Sequence, residues 1–442
     1  MGRLFGTDGV RGEFGRDLTP ELARDLGRAA VSVLRRRGAG PLTLLVGRDT
    51  RASGEILERA LVEGALGEGA DVRLAGVIPT PAVAFLTTTL RAGAGVVISA
   101  SHNPPEDNGI KFFGPSGYKL PDEVEDEIEA ELGREGADAV PTGSVERLEG
   151  AERAYIDHLV EAAEARLDGM RIVVDCANGA ASDVGPTVLG SLGAEVDAIF
   201  CEPDGTNINV GCGALHPEVV AEAVHARGAD AGVCFDGDAD RALFADAEGN
   251  VIDGDQVLTA CALAMREASG LDGNVVVTTV MANVGLAVAL EEVGIQVVRT
   301  SVGDRYVLEE MLARGAVLGG EQSGHVIFAD RATTGDGLLT AVRFLSSARQ
   351  RGQTAGAFAA RMARFPQALR NVTVARKEEL DDAALVWEAV RAVEDTLGTS
   401  GRVLVRASGT EPLVRVMVEA GEEAVAVEHA EALAELVRAE LG

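Results

Sequence analysis

The chain has 442 residues and a formal net charge of −30, and both values restrict what it can be. Its length is too great for one hydrophobic core and predicts about three domains. The negative charge argues against a nucleic acid or an anionic membrane surface as a partner, because both would be repelled. Apolar residues make up 46% of the chain, but their runs are much shorter than the ~20 residues of a membrane span.

The cysteines and the N-terminal sequence indicate the compartment. The five cysteines are scattered and include no CxxC pair, a pattern typical of reduced thiols. The N-terminal sequence MGRLFGTDGVRG lacks the apolar segment of a signal peptide. We therefore expect a cytoplasmic protein.

A strand–helix–strand pattern that closes with a strand and a polar, glycine-rich loop occurs three times. The first set has strands over 42–46, 72–77 and 95–98 and ends in SASHNPPEDNG. The second has strands over 171–175, 195–200 and 231–235 and ends in DGDADR. The third has strands over 274–278, 295–300 and 316–318 and ends in GGEQSGH. Segments with helical spacing lie between these strands, such as 57–66, 217–227 and 284–293.

This alternation predicts three similar α/β domains with helices on the faces of largely parallel sheets. Ligands of such sheets bind just beyond the strand ends, where the three polar loops lie. After position 366 the pattern changes to strands at 370–374, 401–406 and 413–419 with helices at 382–397 and 422–441, which predicts a smaller α+β domain. The predicted domains are 1–150, 151–251, 252–366 and 367–442.

The sequence DGDADR contains three alternating aspartates, Asp236, Asp238 and Asp240. In extended backbone, alternate side chains point to one side, so three carboxylates would converge on a hard cation. Mg²⁺ suits a site with few carboxylates that phosphate or water completes. An EF-hand is excluded because Arg241 stands where its turn glycine is required. An acidic surface turn is the alternative.

The loop SASHNPPEDNGIK contains two candidate nucleophiles, Ser99 and Ser101. A serine hydroxyl needs activation by a base, a metal or both, and His102 and Lys111 are near in sequence. The Asn-Pro-Pro turn would hold the serine rigidly at a loop tip. By itself, this loop leaves catalysis and a plain polar turn equally open.

In GGEQSGH, the alternating residues Glu321, Ser323 and His325 offer a carboxylate, a hydroxyl and an imidazole. Such groups form good hydrogen bonds with sugar hydroxyls. An ordinary polar turn is the alternative. Near the N-terminus, Arg11 lies in the glycine-rich GTDGVRG, where a structural turn and an active-site cation are equally compatible with the sequence.

The sequence RASGTEPLVR combines a glycine-containing turn with two arginines. Exposed backbone N–H groups and guanidinium groups together form a good site for phosphate oxygens. The residues concerned are Arg406, Ser408, Gly409, Thr410 and Arg415. The chain has no Walker A sequence, which argues against a P-loop nucleotidase.

Five segments in order resemble the α-D-phosphohexomutase superfamily: FGTDGVRG, ISASHNP, DGDADR, GEQSGH and RASGTEPLVRVM. The resemblance covers essentially the whole chain. Within the superfamily, GEQSGH, CGALH at 212–216 and DCANGA at 175–180 resemble the glucosamine branch rather than the phosphomannomutase or phosphoglucomutase branches.

The resemblance implies four domains around a central cleft, the first three being mixed α/β sheets with flanking helices and the fourth a smaller α+β domain. It implies that Ser101 is phosphorylated in the resting enzyme. An oxygen of that phosphate would bind one Mg²⁺ together with Asp236, Asp238 and Asp240. Arg241 would contact the same phosphate.

Further roles follow from the same resemblance. The groups that would line the reacting centre are Arg11, His102, Lys111 and His325. The residues that would contact sugar hydroxyls are Glu321 and Ser323. The residues that would hold the phosphate that does not react are Arg406, Ser408, Gly409, Thr410 and Arg415.

The implied reaction interconverts glucosamine 6-phosphate and glucosamine 1-phosphate, with glucosamine 1,6-bisphosphate as intermediate and activator. It would feed the synthesis of UDP-N-acetylglucosamine and of cell-wall precursors. We expect a small phosphosugar substrate and neither nucleic acid nor membrane as a partner. A homodimer is compatible with the sequence.

Three other functions compete with this interpretation. A phosphatase of the haloacid dehalogenase type would use Asp236 as nucleophile, but Asp240 departs from its motif and the loop around Ser101 would have no role. A catalytically silent sugar-phosphate sensor would not need the nucleophile and the three aspartates. A sister mutase that acts on glucose or mannose phosphates differs least from the implied glucosamine-phosphate mutase.

Overall fold

The computed structural model describes residues 3–6, 8–38, 42–134, 143–408 and 412–442. It forms two compact units. Unit 1 comprises residues 1–280 and 298–360, and unit 2 comprises residues 281–297 and 361–442. No helix within the described ranges is long and apolar enough to span a membrane. Gly409 and Thr410, predicted to bind phosphate, lie outside the described residues.

The first domain is a mixed six-stranded sheet with helices on its faces. Its strands are β1 (Val10–Glu13), β2 (Thr43–Arg48), β3 (Asp71–Val77), β4 (Ala94–Ile98), β5 (Asp107–Phe113) and β6 (Val145–Arg147). Its helices are α1 (Pro20–Arg36), α2 (Gly54–Gly67), α3 (Thr80–Thr89) and α4 (Asp122–Glu131). The strand order is β1–β5–β4–β2–β3–β6, with β5 antiparallel to both of its neighbours. Helices α1 and α2 approach so closely that a Cβ on Gly64 would lie 1.9 Å from the carbonyl oxygen of Arg24.

The second domain repeats this plan with five strands. Its helices are α5 (Ala151–Glu161), α6 (Val184–Ser191) and α7 (Pro217–Arg227). Its strands are β7 (Arg171–Asp175), β8 (Glu195–Ile199), β9 (Ala231–Phe235), β10 (Ala242–Asp246) and β11 (Val251–Ile252). The order is β11–β10–β9–β7–β8, with β7 parallel to both β8 and β9.

The third set of elements follows the same alternation. Its helices are α8 (Gly254–Glu267), α9 (Val284–Glu291), α10 (Asp304–Arg314), α11 (Gly337–Gln350) and α12 (Ala355–Ala359). Its strands are β12 (Val275–Thr279), β13 (Gln296–Thr300), β14 (Leu318–Gly320) and β15 (Val326–Phe328). In unit 1, β14 pairs in parallel with β12 and antiparallel with β15. The polar loop after β14 therefore leaves the sheet at the end where ligands bind in α/β domains.

Unit 2 contains a three-stranded antiparallel sheet and two long helices. Its elements besides α9 are β16 (Gln367–Thr373), α13 (Ala384–Leu397), β17 (Gly401–Ala407), β18 (Leu413–Ala420) and α14 (Glu423–Leu441), with the strand order β16–β18–β17. Residues 281–297 are part of this compact unit. The buried carboxylate of Glu419 holds them, because it accepts hydrogen bonds from Asn283 Nδ2 at 3.1 Å and from the Val284 amide at 3.1 Å.

Candidate active site

Ser101 lies in the loop between β4 and β5, where its hydroxyl meets the acidic loop of the second domain. Its Oγ donates to Asp236 Oδ2 at 2.5 Å and lies 3.3 Å from His102 Nδ1. The residue is buried and has a φ of 52°, a left-handed conformation that is uncommon for a residue with a side chain. Such a conformation at a polar loop tip is typical of functional sites.

Ser99 is turned away from this centre. Its hydroxyl donates to Asp49 Oδ2 at 2.6 Å and accepts the backbone N–H of Ser101 at 2.9 Å. Both bonds tie Ser99 into the protein interior. Of the two candidate nucleophiles in the sequence, only Ser101 therefore faces the aspartates.

Asp236, Asp238 and Asp240 converge as the sequence predicts, but for a different geometric reason. Strand β9 ends at Phe235, and the aspartates lie in a turn in which Ala239 has a φ of 57°. Extended backbone is therefore not what aligns them. One carboxylate oxygen of each lies within 4.8 Å of the others.

Two oxygens of this triad are buried without a hydrogen-bond donor among the described residues, namely Asp238 Oδ1 and Asp240 Oδ1. Burial, reinforced by the two neighbouring carboxylates, raises the pKa of Asp236 well above its usual range. A hard cation would satisfy the free oxygens and relieve the repulsion, so the three residues fit Mg²⁺.

A network of buried cations compensates these carboxylates in part. Lys111 Nζ lies 3.0 Å from Asp238 Oδ2 and 2.9 Å from Asp8 Oδ2. The hydroxyl of Thr80 donates to the same Asp238 oxygen at 2.6 Å. Burial would lower the pKa of Lys111, but Asp238 and Asp8 raise it above its ordinary value. Lys111 is therefore a permanent cation beside the triad.

Arg11 and Arg241 add further positive charge. The Arg241 amide donates to Asp236 Oδ1 at 3.1 Å, and Arg11 donates to the carbonyl oxygen of Ala100 at 3.3 Å. The Nε atoms of both arginines are buried and have no acceptor within the described part of the chain. Burial, helped by Arg241 and Arg11, lowers the pKa of His102 to about 4. At neutral pH this imidazole is uncharged.

Glu321, Ser323 and His325 lie in the turn between β14 and β15, and they too are not aligned by extended backbone. Glu321 Oε1 accepts the Gly303 amide at 3.2 Å, whereas Ser323 Oγ is buried with no partner among the residues described. His325 Nδ1 lies 3.6 Å from Asp240 Oδ1. Burial would lower the pKa of His325, but Asp240 raises it to about 9.

These groups surround a cavity of about 380 Å³ in unit 1. That volume lies within the range of small-molecule sites. The predicted residues that line it are Arg11, Ser101, His102, Asp240, Arg241, Glu321 and His325. Asp236, Asp238 and Lys111 lie beneath it, in contact with the lining residues or with one another.

Three further residues of this centre were not predicted from the sequence. Lys119 bridges Asp8 and Asp304, with its Nζ 2.5 Å from an oxygen of each. Asp8 in turn contacts Arg11 and Lys111. Asp8 stands inside the GTDGVRG segment and could have been considered there. Nothing in the sequence around Lys119 or Asp304 indicates their proximity.

The predicted phosphate-binding residues that are described in unit 2 lie together on β17 and β18. Arg406 is the direct cross-strand partner of Arg415. Ser408 is buried at the end of β17, and its carbonyl oxygen accepts Lys377 Nζ at 2.9 Å. The pairing of Arg406 with Arg415 places two like charges on one face of the sheet.

Family models match four consecutive parts of the chain. They describe the α/β/α domains I, II and III of phosphoglucomutase/phosphomannomutase, at residues 2–138, 153–249 and 253–365, and its C-terminal domain, at residues 369–436. The chain belongs to the phosphoglucomutase/phosphomannomutase family. It is therefore an isomerase of the mutase type, and the predicted four-domain fold class is confirmed.

Similar proteins indicate which branch of the family this mutase resembles. Phosphoglucosamine mutase of Desulforudis audaxviator is 52% identical over 443 residues, which cover 99% of this chain and 98% of the relative. A crystal structure of a phosphoglucomutase/phosphomannomutase family protein from Burkholderia thailandensis has a TM-score of 0.82 at 25% identity and covers 99% of this chain and 97% of its own. N-acetylphosphoglucosamine mutase of Aspergillus fumigatus, solved with GlcNAc-6P and magnesium, shares the fold with a TM-score of 0.70 at 18% identity, over 99% of this chain and 96% of its own.

Proposed function

We propose that this mutase interconverts glucosamine 6-phosphate and glucosamine 1-phosphate through a phosphoserine at Ser101. The observation that carries the proposal is the 2.5 Å hydrogen bond between Ser101 Oγ and Asp236, beside two aspartate oxygens that have no donor in the described structure. Full-length similarity to phosphoglucosamine mutases supports the choice of substrate. The alternative is a phosphomannomutase or phosphoglucomutase of the same superfamily.

In the first half-reaction, the bond between phosphorus and Ser101 Oγ breaks while phosphorus bonds to the free hydroxyl oxygen of glucosamine 6-phosphate. The sugar hydroxyl loses its proton, and the serine oxygen takes one up. The product is glucosamine 1,6-bisphosphate. After this intermediate has turned round, the bond between O6 and its phosphorus breaks while that phosphorus bonds to Ser101 Oγ. The serine hydroxyl loses its proton and O6 takes one up, which restores the phosphoserine and releases glucosamine 1-phosphate.

The residues around Ser101 fit the requirements of phosphoryl transfer, which depends on positioning and on charge neutralisation. Arg241 and Arg11 have unpaired buried Nε groups beside Ser101 that can donate to phosphoryl oxygens. The neutral imidazole of His102, 3.3 Å from Ser101 Oγ, is placed to exchange a proton with that oxygen.

Asp236, Asp238 and Asp240 would hold one Mg²⁺ together with an oxygen on Ser101. The chemistry that the bound ion supplies is neutralisation of charge on the transferring phosphoryl group. Without it, three neighbouring carboxylates would repel the incoming phosphate. Lys111 compensates only part of this charge, because it is shared with Asp8.

Two further sets of residues would hold the substrate. Glu321 and Ser323 would bind sugar hydroxyls. Glu321 and His325 line the cavity, whereas Ser323 Oγ is buried without a partner among the described residues. The residues that would bind the phosphate that does not react are Arg406, Ser408, Gly409, Thr410 and Arg415. A substrate with two phosphates needs such a second site, whereas a simple phosphatase does not.

Intact-mass measurement of the protein and of Ser101→Ala tests the proposal. We expect the wild type to carry one acid-stable phosphoryl group and the variant to carry none and to lose activity. Ser191→Ala, on α6, is the matched control. An unphosphorylated wild type with a fully active Ser101→Ala would contradict the mechanism, and an alkali-labile phosphate on Asp236 would favour a phosphatase of the haloacid dehalogenase type.

Substrate choice needs a separate measurement. We expect kcat/KM for glucosamine 6-phosphate to exceed that for glucose 6-phosphate and mannose 6-phosphate. The reverse order would assign the chain to the sister activity.

We also propose that the enzyme works in the cytoplasm, a view that its five free cysteines support.

A further inference from the structure

Arg51, in the loop that follows β2, is fully buried behind the loop of Ser101. Its Nε donates to Asp49 Oδ2 at 2.9 Å. Its four remaining N–H groups point to backbone carbonyl oxygens of the Ser101 loop, namely those of Ser101 at 3.0 Å, Asn103 at 2.8 Å, Asp107 at 2.9 Å and Pro104. A guanidinium has five N–H donors, so every donor of this side chain has an acceptor.

The backbone N–H of Ser101 is held through the same two residues, Asp49 and Arg51. The Ser101 N–H donates to Ser99 Oγ at 2.9 Å, and the Ser99 hydroxyl donates to Asp49 Oδ2 at 2.6 Å. The Asp49 carboxylate also accepts the backbone N–H of Arg51 at 3.0 Å. The two peptide groups that flank the Ser101 side chain are therefore both tied to the Asp49–Arg51 pair.

A third residue reaches the same carbonyl groups from the second domain. Asn209 Nδ2 donates to the carbonyl oxygens of Ser101 at 2.9 Å and Asn103 at 3.1 Å. The Ser101 carbonyl thus accepts from Arg51 and from Asn209. These bonds hold the backbone at the left-handed φ of 52°, a strained conformation for a residue with a side chain that persists only where its surroundings impose it.

The second domain uses the same arrangement behind its own functional loop. There Asp175, at the end of β7, accepts the Ala177 amide at 2.9 Å, as Asp49 accepts that of Arg51. The loop that follows is packed against the aspartate loop, because the Ala180 amide donates to the Gly237 carbonyl oxygen at 2.8 Å. In both domains, the loop after the neighbouring strand, β2 beside β4 and β7 beside β9, supports the loop that carries the functional side chains.

We propose that Arg51, held by Asp49 and assisted by Asn209, is a positioning residue that fixes Ser101 in its transfer geometry. The inference rests on the proposed role of Ser101 as phosphate carrier. Arg51 touches no substrate, since its donors all bind protein groups. Lysine cannot replace it, because an ammonium has three donors and no planar fork.

The test compares Arg51→Lys and Asn209→Gly with the wild type. Asn209→Gly removes two hydrogen bonds, leaves no charge unpaired and suits the positive φ of 61° at this position. The matched control is Arg351→Lys, since Arg351 also donates to backbone carbonyls and pairs with Glu164, far from the cavity. All proteins are first assayed for phosphoserine by intact mass.

We expect Arg51→Lys to lower kcat and the single-turnover rate of transfer from phosphoserine to glucosamine 6-phosphate by about 100-fold, as a displacement of about 1 Å would. Asn209→Gly should lower both by about tenfold, since Arg51 still holds the loop. KM should change less than about threefold in both variants, because the substrate contacts are intact. Arg351→Lys should keep the wild-type kcat.

The measurements are made well below the melting temperature of each variant, where a purely structural residue would leave kcat unchanged. Wild-type kcat in both Arg51→Lys and Asn209→Gly, with normal phosphoserine, would overturn this inference alone. If Arg51→Lys does not fold, wild-type kcat in Asn209→Gly decides against it. A wild type without phosphoserine whose Ser101→Ala variant is active would instead overturn the proposed function.

Discussion

The ammonium group of Lys111 lies 3.0 Å from Asp238 Oδ2 and occupies the side of that carboxylate opposite its free oxygen. The lysine is only 2% exposed, so solvent screens the pair weakly. One cation of the protein thus compensates part of the charge of the aspartate triad. The charge that remains lets the triad bind a cation, and the compensation by Lys111 lets a phosphate approach it.

Replacing Lys111 by Met should affect metal binding and catalysis in opposite directions. The triad loses its compensating charge, so its affinity for Mg²⁺ should rise by about tenfold or more, as Coulomb attraction at effective dielectric constants near 20 implies. The rate of phosphoryl transfer at saturating Mg²⁺ should fall by about 100-fold, because a developing negative charge loses a nearby cation. Titration calorimetry and steady-state kinetics measure the two effects.

Lys111→Arg, which keeps the charge, is the control for metal affinity and should bind Mg²⁺ as the wild type does. Arg153→Met on α5 controls for the loss of a cation at a distance. Weaker Mg²⁺ binding by Lys111→Met would show that the lysine orders the triad rather than compensating it.

Ser323→Ala should weaken substrate binding without destabilising the protein. Ser323 Oγ is buried and has no partner among the described residues, so its removal leaves no other group unsatisfied. One hydrogen bond to a sugar hydroxyl contributes about 0.5–1.5 kcal/mol to binding, so its loss should raise KM by about 2- to 12-fold. Steady-state kinetics measure KM and thermal unfolding measures stability, with Ser191→Ala as control. A clear fall in melting temperature would mean that the hydroxyl already has a structural partner.

The residues of the candidate site stand out in the sequence because their types are unusual together, but the sequence could not predict how they meet. The three aspartates were expected to align along a strand, whereas a turn with Ala239 at positive φ brings them together. Lys111 was placed near the serine by sequence distance alone. Its position opposite Asp238 depends on strand β5. This strand was not predicted, because it closely follows the Asn-Pro-Pro turn.

Residues that act across long sequence separations could not be found from local patterns. Arg51 contacts a loop about 50 positions away, and Lys119 bridges Asp8 and Asp304, which are far apart in sequence. The end of helix α5 also involves a residue that is distant in sequence. Helix α5 ends at Glu161, and the Glu164 amide that follows it donates to Ser346 Oγ at 3.0 Å, an acceptor 182 positions away in sequence.

Mg²⁺ should stabilise the folded protein against heat, and its removal by a chelator should reverse the effect. A ligand present at 100 times its dissociation constant stabilises the folded state by about 2.7 kcal/mol if it does not bind the unfolded chain. Asp240→Asn should abolish this gain, because Asp240 Oδ1 is one of the free oxygens of the triad. Asp395→Asn, on the exposed face of α13, should retain it. Calorimetry with and without Mg²⁺ gives the result, and equal stabilisation of both variants would place the metal elsewhere.

The stability of the protein should depend on pH through Glu125 on α4. Burial raises the pKa of this carboxyl to about 7, although Arg305 and Arg3 oppose the shift. A group with a raised folded-state pKa contributes its stabilisation below the unfolded-state value, and this is lost as pH rises through about 7. At pH 8 the wild type therefore carries an unfavourable buried charge that Glu125→Gln lacks.

We expect Glu125→Gln to be more stable than the wild type by about 1–2 kcal/mol at pH 8, allowing for partial solvation, and to lose this advantage at pH 5. Urea unfolding at the two pH values measures the difference. Glu127→Gln on the same helix is the matched control, because the hydrogen bond from Arg37 lowers the pKa of Glu127. That substitution should give no gain at pH 8. An equal advantage of Glu125→Gln at both pH values would show that packing, not ionisation of Glu125, distinguishes the two proteins.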